Sequence, residues 1–213
     1  MKIIEFIGLP CSGKTTLVKN LSAIHEASNI NFHYESIPKT DLKKIVPIFL
    51  LHIPLIFFVM LLSPHKLVSS LKMSIYHCNL VNFLLSKKNN GSQVLVAHQG
   101  IFQSFASIFI DCFMTPSLIK LYSKFYFKLY SIIGLEIEVC YLNTHIEVVK
   151  KRLLLRKTFT SRFETMSSKK LTQSLLKYKS LLMLFSCGRI THEIKRESDL
   201  NQLSRYLMSV AEE

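Results

Sequence analysis

Aspartate is nearly missing from this chain of 213 residues, occurring only at Asp41, Asp111 and Asp199. That scarcity limits how the protein can handle a hard cation, which prefers oxygen ligands. Cysteine is sparse too: five residues, an odd number, with no C-x-x-C pair. Neither a disulfide framework nor a zinc site is indicated, and reduced thiols fit a cytosolic setting. No internal repeat, low-complexity tract or linker divides the chain, so the expectation is one domain, 1–213. No signal peptide is expected, because the residues after Met1 already read as a strand. Charged residues are only 19% of the chain and hydrophobic ones 49%, a balance that excludes a disordered protein.

Positive charge is abundant. The formal net charge is +13, and the stretch Lys150–Arg196 holds thirteen Lys or Arg against Glu164 and Glu193. Such a run suits anionic partners: nucleotide phosphates, an acidic membrane surface or nucleic acid. Against nucleic acid, the chain has no recognisable reading module and no Gly/aromatic RNA-binding signature.

The most informative stretch is Gly8-Leu9-Pro10-Cys11-Ser12-Gly13-Lys14-Thr15, followed by Thr16. It reads G-x-x-x-x-G-K-[ST], a phosphate-binding loop. The apolar run Ile3–Ile7 precedes it and a helix-like run follows, which is the context the motif needs. Backbone N–H groups of such a loop wrap a phosphate, and the helix aims its positive end at the same anion. Lys14 would reach the β- and γ-phosphates, and the Thr15 hydroxyl would face Mg²⁺.

Along the chain, strands are expected at 1–7, about 31–35, 93–97, 136–142 and 189–194. Helices are expected at 14 to about 28, 67–85, 101–110, 116–133, from Thr144 onward, 171–185, and from Ser198 to about 210. Thr144 and Glu147 have the spacing of a capping box, Thr144 being the N-cap. The apolar stripe Leu67, Leu71, Ile75, Cys78, Val81, Leu85 predicts the buried face of the 67–85 helix. Together these predict an α/β fold with a five-stranded parallel sheet flanked by helices, and with the phosphate-binding loop the pattern resembles the three-layer P-loop NTPase fold.

Ile45–Leu62 is eighteen residues long and apolar except for His52, Pro47 and Pro54. That is the lower limit for a membrane span. A single crossing would place the P-loop and the next strand of the same sheet on opposite sides of a bilayer. The expectation is a kinked helical pair, within a hydrophobic insertion at about 42–85, that is buried, dimerises or rests at a membrane interface. Location is then cytoplasmic, with or without peripheral contact at the inner face of the membrane.

The P-loop after the first strand and an Arg-bearing segment after the fourth resemble the nucleoside and nucleotide kinase branch of P-loop proteins. Thymidylate kinase and the deoxynucleoside kinases are its best-known members, and related bacterial kinase-like proteins share the pattern. The resemblance spans most of the chain, but only the P-loop is specific. It implies ATP and Mg²⁺, with phosphoryl transfer to a small-molecule hydroxyl or phosphate. It also implies that Arg152 and Arg156, with Arg162 in a lid at about 156–166, reach the transferring phosphates. Arg suits that work because its planar fork binds phosphate oxygens bidentately. By the same resemblance Glu35, at the end of the second strand, would be the general base.

In an open parallel sheet ligands bind at the carboxyl ends of strands. That makes His98, Gln99 and Gln103 acceptor-site candidates, together with Glu35 and Arg162. The family's third strand usually ends in an acid, and here His98 stands instead. Metal handling would therefore fall to Thr15, the nucleotide phosphates and water, with or without Glu35 or Asp111. The rival readings are a non-catalytic nucleotide-binding switch and a membrane-associated partner protein. Neither the acceptor nor ATP against GTP is encoded decisively, the base-binding loop near Lys195–Ser198 carrying no clear code.

Overall fold

The computed structural model describes residues 1–24, 30–33, 46–50, 53, 57, 67–90, 94–98, 100–110, 115–156, 163, 166–186, 189–195 and 197–212. In order these form β1 (Lys2–Gly8), α1 (Lys14–Ile24), β2 (Ile30–His33), α2 (Leu67–Asn89), β3 (Val94–Ala97) and α3 (Ile101–Phe109). There follow α4 (Pro116–Ile132), β4 (Glu136–Leu142), α5 (Ile146–Leu155), α6 (Ser168–Ser186), β5 (Ile190–Ile194) and α7 (Glu197–Glu212).

The strands pair in the order β2-β3-β1-β4-β5, every pair parallel. β1 is central, with Lys2 beside both Val94 and Glu136. The expected α/β architecture, a parallel sheet flanked by helices, is therefore present. Alternation along β1 divides the core in two. Ile3 and Ile7 face a large cluster with α2, α3, α4, α5 and α6, whereas Ile4 and Phe6 face a smaller one with α1 and α7.

Several element ends differ from the sequence reading for identifiable reasons. α2 continues through Lys87 and Lys88, beyond the end expected at 85, and stops at Asn89. Lysines in a last helical turn complement the negative end of the dipole, and Lys88 Nζ also donates to the Ile133 carbonyl at 2.7 Å. α7 begins at Glu197, so Ser198 lies inside the helix rather than capping it; the Asp199 carboxylate instead accepts from the Lys195 N–H at 2.8 Å. Gly134, with φ 73°, follows α4 as expected.

The buried face of α2 matches the expected stripe at Cys78 and Val81 and departs from it elsewhere. Leu71 is exposed and Ile75 half-buried, while Ser74, His77, Cys78, Leu80, Val81 and Leu84 point inward. His77 can sit there because both ring nitrogens are satisfied. Ser104 Oγ donates to the Ile101 carbonyl, so toward His77 it accepts, which puts the proton on Nδ1. Nε2 then accepts from the Tyr130 hydroxyl. This network ties α2, α3 and α4 together where an apolar stripe alone would give no register.

Of the apolar stretch Ile45–Leu62, residues 46–50 are helical, and Val46, Leu50, Ile53 and Phe57 are exposed. The rest of that stretch lies outside the described residues. Among the described residues no helix is long and apolar enough to cross a membrane.

Candidate phosphate-binding site

The turn between β1 and α1 lies at the carboxyl end of the central strand. Its backbone shape explains the sequence. Gly13 has φ 102° and Cys11 φ 56°, the latter a left-handed conformation that a non-glycine residue rarely holds outside functional sites. Gly8 is needed for close approach: a Cβ there would lie 2.9 Å from the Leu142 carbonyl oxygen of β4. The Ser12 N–H donates to the Leu9 carbonyl at 3.2 Å and closes the turn.

Lys14 is buried and folds back into the loop. Its Nζ donates to the carbonyls of Gly8 (3.0 Å) and Leu9 (2.8 Å) and to Ser12 Oγ (3.3 Å). Burial pushes its pKa down to about 8, against the pull of Cys11 and Glu5. An ammonium held by neutral acceptors gains on meeting an anion, because charge-assisted hydrogen bonds are roughly twice as strong as neutral ones.

Two arginines from α5 reach the same loop. Arg152 Nη1 donates to the Cys11 carbonyl at 3.2 Å, and Arg156 Nη1 lies 3.7 Å from Cys11 Sγ. Both side chains are exposed. The anchoring of α5 explains how they get there. Thr144, expected to be its N-cap, instead donates from Oγ1 to the Ser12 carbonyl at 3.1 Å, stapling the α5 entry to the P-loop. His145 takes the N-cap position, its Nδ1 accepting from the Glu147 N–H.

A cavity of about 1000 Å³ opens here, lined by residues 11–17, Asn20, residues 142–145, Arg152, Arg156, Ile194 and Lys195. Lys14, Thr15, Thr16, Arg152 and Arg156 thus share one concave surface. Asn143 on its rim is fixed by Glu193 Oε1 at 2.7 Å and Lys179 Nζ at 3.2 Å. For a magnesium ion the fit is partial. The Thr15 side chain is exposed to the cavity, but no group of three or more His, Cys, Asp or Glu that could hold a metal occurs among the described residues. The remaining ligands would have to be phosphate oxygens and water.

The most consequential residue missing from the sequence reading is Glu5. It is completely buried in the middle of β1. Its carboxylate accepts from the backbone N–H groups of Phe102 and Gln103, each at 3.1 Å, at the first turn of α3. Burial raises its pKa to about 7 although these hydrogen bonds pull the other way. The contact is tight: a Cβ on Gly100 would lie 2.3 Å from Glu5 Cδ. A clue stood in the sequence, a lone acid in Ile3-Ile4-Glu5-Phe6-Ile7 directly before the P-loop.

His98 and Gln103 do not line the large cavity. His98 follows β3, one residue past Ala97, the register partner of Glu5. Gln103 is held through its backbone, its N–H on Glu5 and its carbonyl accepting from the Tyr178 hydroxyl at 3.3 Å. Its side-chain Oε1 is buried without a hydrogen-bond partner. Glu35, Gln99 and Arg162 lie outside the described residues, as does most of the expected lid.

A comparison of the chain with protein-family models finds no match, and a comparison with curated proteins finds none either.

Proposed function

We propose that the protein is a P-loop phosphotransferase of the nucleoside and nucleotide kinase type. It binds a nucleoside triphosphate at residues 8–16 and moves the γ-phosphoryl group to a small-molecule hydroxyl or phosphate. The observation that carries this reading is the convergence of Arg152 and Arg156 on the bend at Cys11, beside Lys14. A loop that only stored a nucleotide would not need two cations brought from a separate helix. Phosphoryl transfer does, because its catalysis is mostly positioning and charge stabilisation at the equatorial oxygens.

In this mechanism Lys14 leaves the carbonyls of Gly8 and Leu9 for the phosphates. Arg152 and Arg156 close from the α5 side, and Asn143 to His145 with Lys195 form the far wall. When bound, Mg²⁺ supplies neutralisation of phosphate charge, with the Thr15 hydroxyl toward it. The acceptor is assigned to the carboxyl end of β3, where His98 stands.

The test is ATP binding by the wild type and by Lys14→Ala in the presence of Mg²⁺, followed by ADP release with nucleosides, nucleotides, sugars and lipid head groups as acceptors. Loss of two or three charge-assisted hydrogen bonds should weaken binding at least tenfold to a hundredfold. Equal binding by both proteins would overturn the assignment. Tight binding with no productive acceptor would instead support the nucleotide-switch reading.

A further inference from the structure

The outer face of α4 combines exposed apolar and basic side chains with no acid on the helix. The helix holds Lys120, Lys124 and Lys128 and no Asp or Glu. On a helical projection two ridges run side by side. Leu121, Phe125 and Ile132 form one, exposed at 63%, 59% and 72%. Lys120, Lys124 and Lys128, spaced four apart and all exposed, form the other. The inner face is fully used: Ile119, Ser123, Tyr126, Phe127 and Tyr130 are buried, so the helix needs no rearrangement to present its outer one.

Behind the lysine ridge lies a separate cavity of about 470 Å³, lined by Lys124, Phe127, Lys128, Ser131 and Arg189. The Arg189 guanidinium stacks on the Phe127 ring at 4.2 Å, which fixes a third cation at the pocket wall. Arg189 directly precedes β5, and Gly134, just past the helix, precedes β4 by one residue. The pocket end of this face therefore sits at the amino ends of the strands, away from the phosphate-binding loop at their carboxyl ends. The acid nearest in sequence is Glu136, exposed at the start of β4.

We propose that this face docks on an anionic phospholipid membrane. The two ridges match the two layers of such a surface. Leu121, Phe125 and Ile132 enter the boundary between head groups and acyl chains, as the apolar side chains of interfacial helices do. Lys124 and Lys128 extend along it to lipid phosphates, and the Arg189 pocket receives one head-group phosphate. A nucleic acid would use the cations but leave the exposed Leu, Phe and Ile in water. A second copy of the chain would cover the apolar ridge but bring its own lysines against these. The protein's charge of +13 reinforces attraction to an anionic surface. This proposal does not depend on the phosphotransferase reading.

The test is co-sedimentation of the full chain with vesicles of phosphatidylcholine alone and of phosphatidylcholine mixed with phosphatidylserine. Binding is expected to the mixed vesicles and to weaken as salt is raised. Lys124→Glu with Lys128→Glu should lower it at least tenfold, at about a tenfold factor or less per basic side chain lost. Phe125→Ser should lower it without changing the salt dependence. Both variants alter exposed positions, and an unchanged melting temperature verifies the fold. Failure to bind mixed vesicles would overturn the proposal. So would binding that neither variant affects, which would point to another surface such as 45–62. A dimer in light scattering that Phe125→Ser dissociates, or oligonucleotide binding that displaces the vesicles and ignores Phe125→Ser, would also overturn it.

Discussion

Arg152 donates from Nη1 to the backbone carbonyl of Cys11 at 3.2 Å, across 141 residues of chain. The contact joins Cys11, the described non-glycine residue with positive φ, to a helix three strands further along the sequence. Cys11 has φ 56°, and α5, whose entry is stapled to Ser12 through Thr144, brings the guanidinium to its carbonyl. An arginine parked on a neutral carbonyl is available to a phosphate that offers a charged acceptor.

Substituting Arg152 should therefore separate chemistry from stability. Arg152→Ala removes an exposed hydrogen bond, so the unfolding free energy should change by no more than about 0.5 kcal/mol. Under the phosphotransferase reading the single-turnover rate should fall by about a hundredfold or more, the scale of losing one preorganised donor at a transition state. Arg152→Lys should recover little of it, since an ammonium lacks the planar fork. A rate unchanged in both variants would remove Arg152 from the mechanism.

Gly100→Ala tests the packing of Glu5 on α3. The strain is steric rather than conformational, because φ at Gly100 is −134°, open to any residue, while the added Cβ would meet Glu5 Cδ at 2.3 Å. Overpacking of this kind costs about 1–3 kcal/mol. Shortening the acid with Glu5→Asp should relieve part of the clash, so the double variant should be more stable than the two single losses predict. Denaturation midpoints of the four proteins measure the coupling; strict additivity would show that the two residues do not meet.

Glu5 also gives folding a pH signature. Its folded pKa is raised to about 7 by burial, from 4.5. Between those values the native state holds a proton that the unfolded chain has lost, so stability falls as pH rises through that window. The full effect is of order 3 kcal/mol, since each pKa unit corresponds to about 1.4 kcal/mol. Glu5→Gln should abolish this slope in urea titrations made from pH 4 to pH 8. A slope that survives the substitution must come from another group.

Much of the frame was legible because it rests on local signals. β4 follows from Ile137, Val139, Cys140, Tyr141 and Leu142 between Gly134 and Asn143, and the end of α4 from Gly134 itself. The resemblance implied that Arg152 and Arg156 reach transferring phosphates; in the structure their Nη1 atoms lie by the carbonyl and Sγ of Cys11. Glu5 was missed because periodicity treats an acid in an apolar run as an interruption; only tertiary structure brings two N–H donors from residues 102 and 103 to meet it. The same holds for His77, whose burial depends on Ser104 and Tyr130 far along the chain. Thr144 has the chemistry of an N-cap, but a bond to the Ser12 carbonyl, invisible to spacing rules, takes its hydroxyl elsewhere.

Under the phosphotransferase reading Lys14 should couple nucleotide binding to protons. In the ligand-free loop burial holds its pKa near 8. Its partners there are two carbonyls and a hydroxyl, which favour the ammonium only weakly. Phosphate oxygens would favour the charged form strongly and raise the pKa. At pH 8 to 9 a sizeable fraction of the unliganded protein carries a neutral amine, so binding ATP must take up a proton. Calorimetry in buffers of different ionisation enthalpy reads that uptake directly. It should approach zero at pH 6.5, where Lys14 is already charged, and rise toward pH 9. Affinity should fall over the same range, by up to about tenfold for each unit above the unliganded pKa. Lys14→Arg, charged at every pH, should bind without this dependence. Proton uptake that is flat with pH in the wild type would mean that Lys14 is not the group receiving the phosphate.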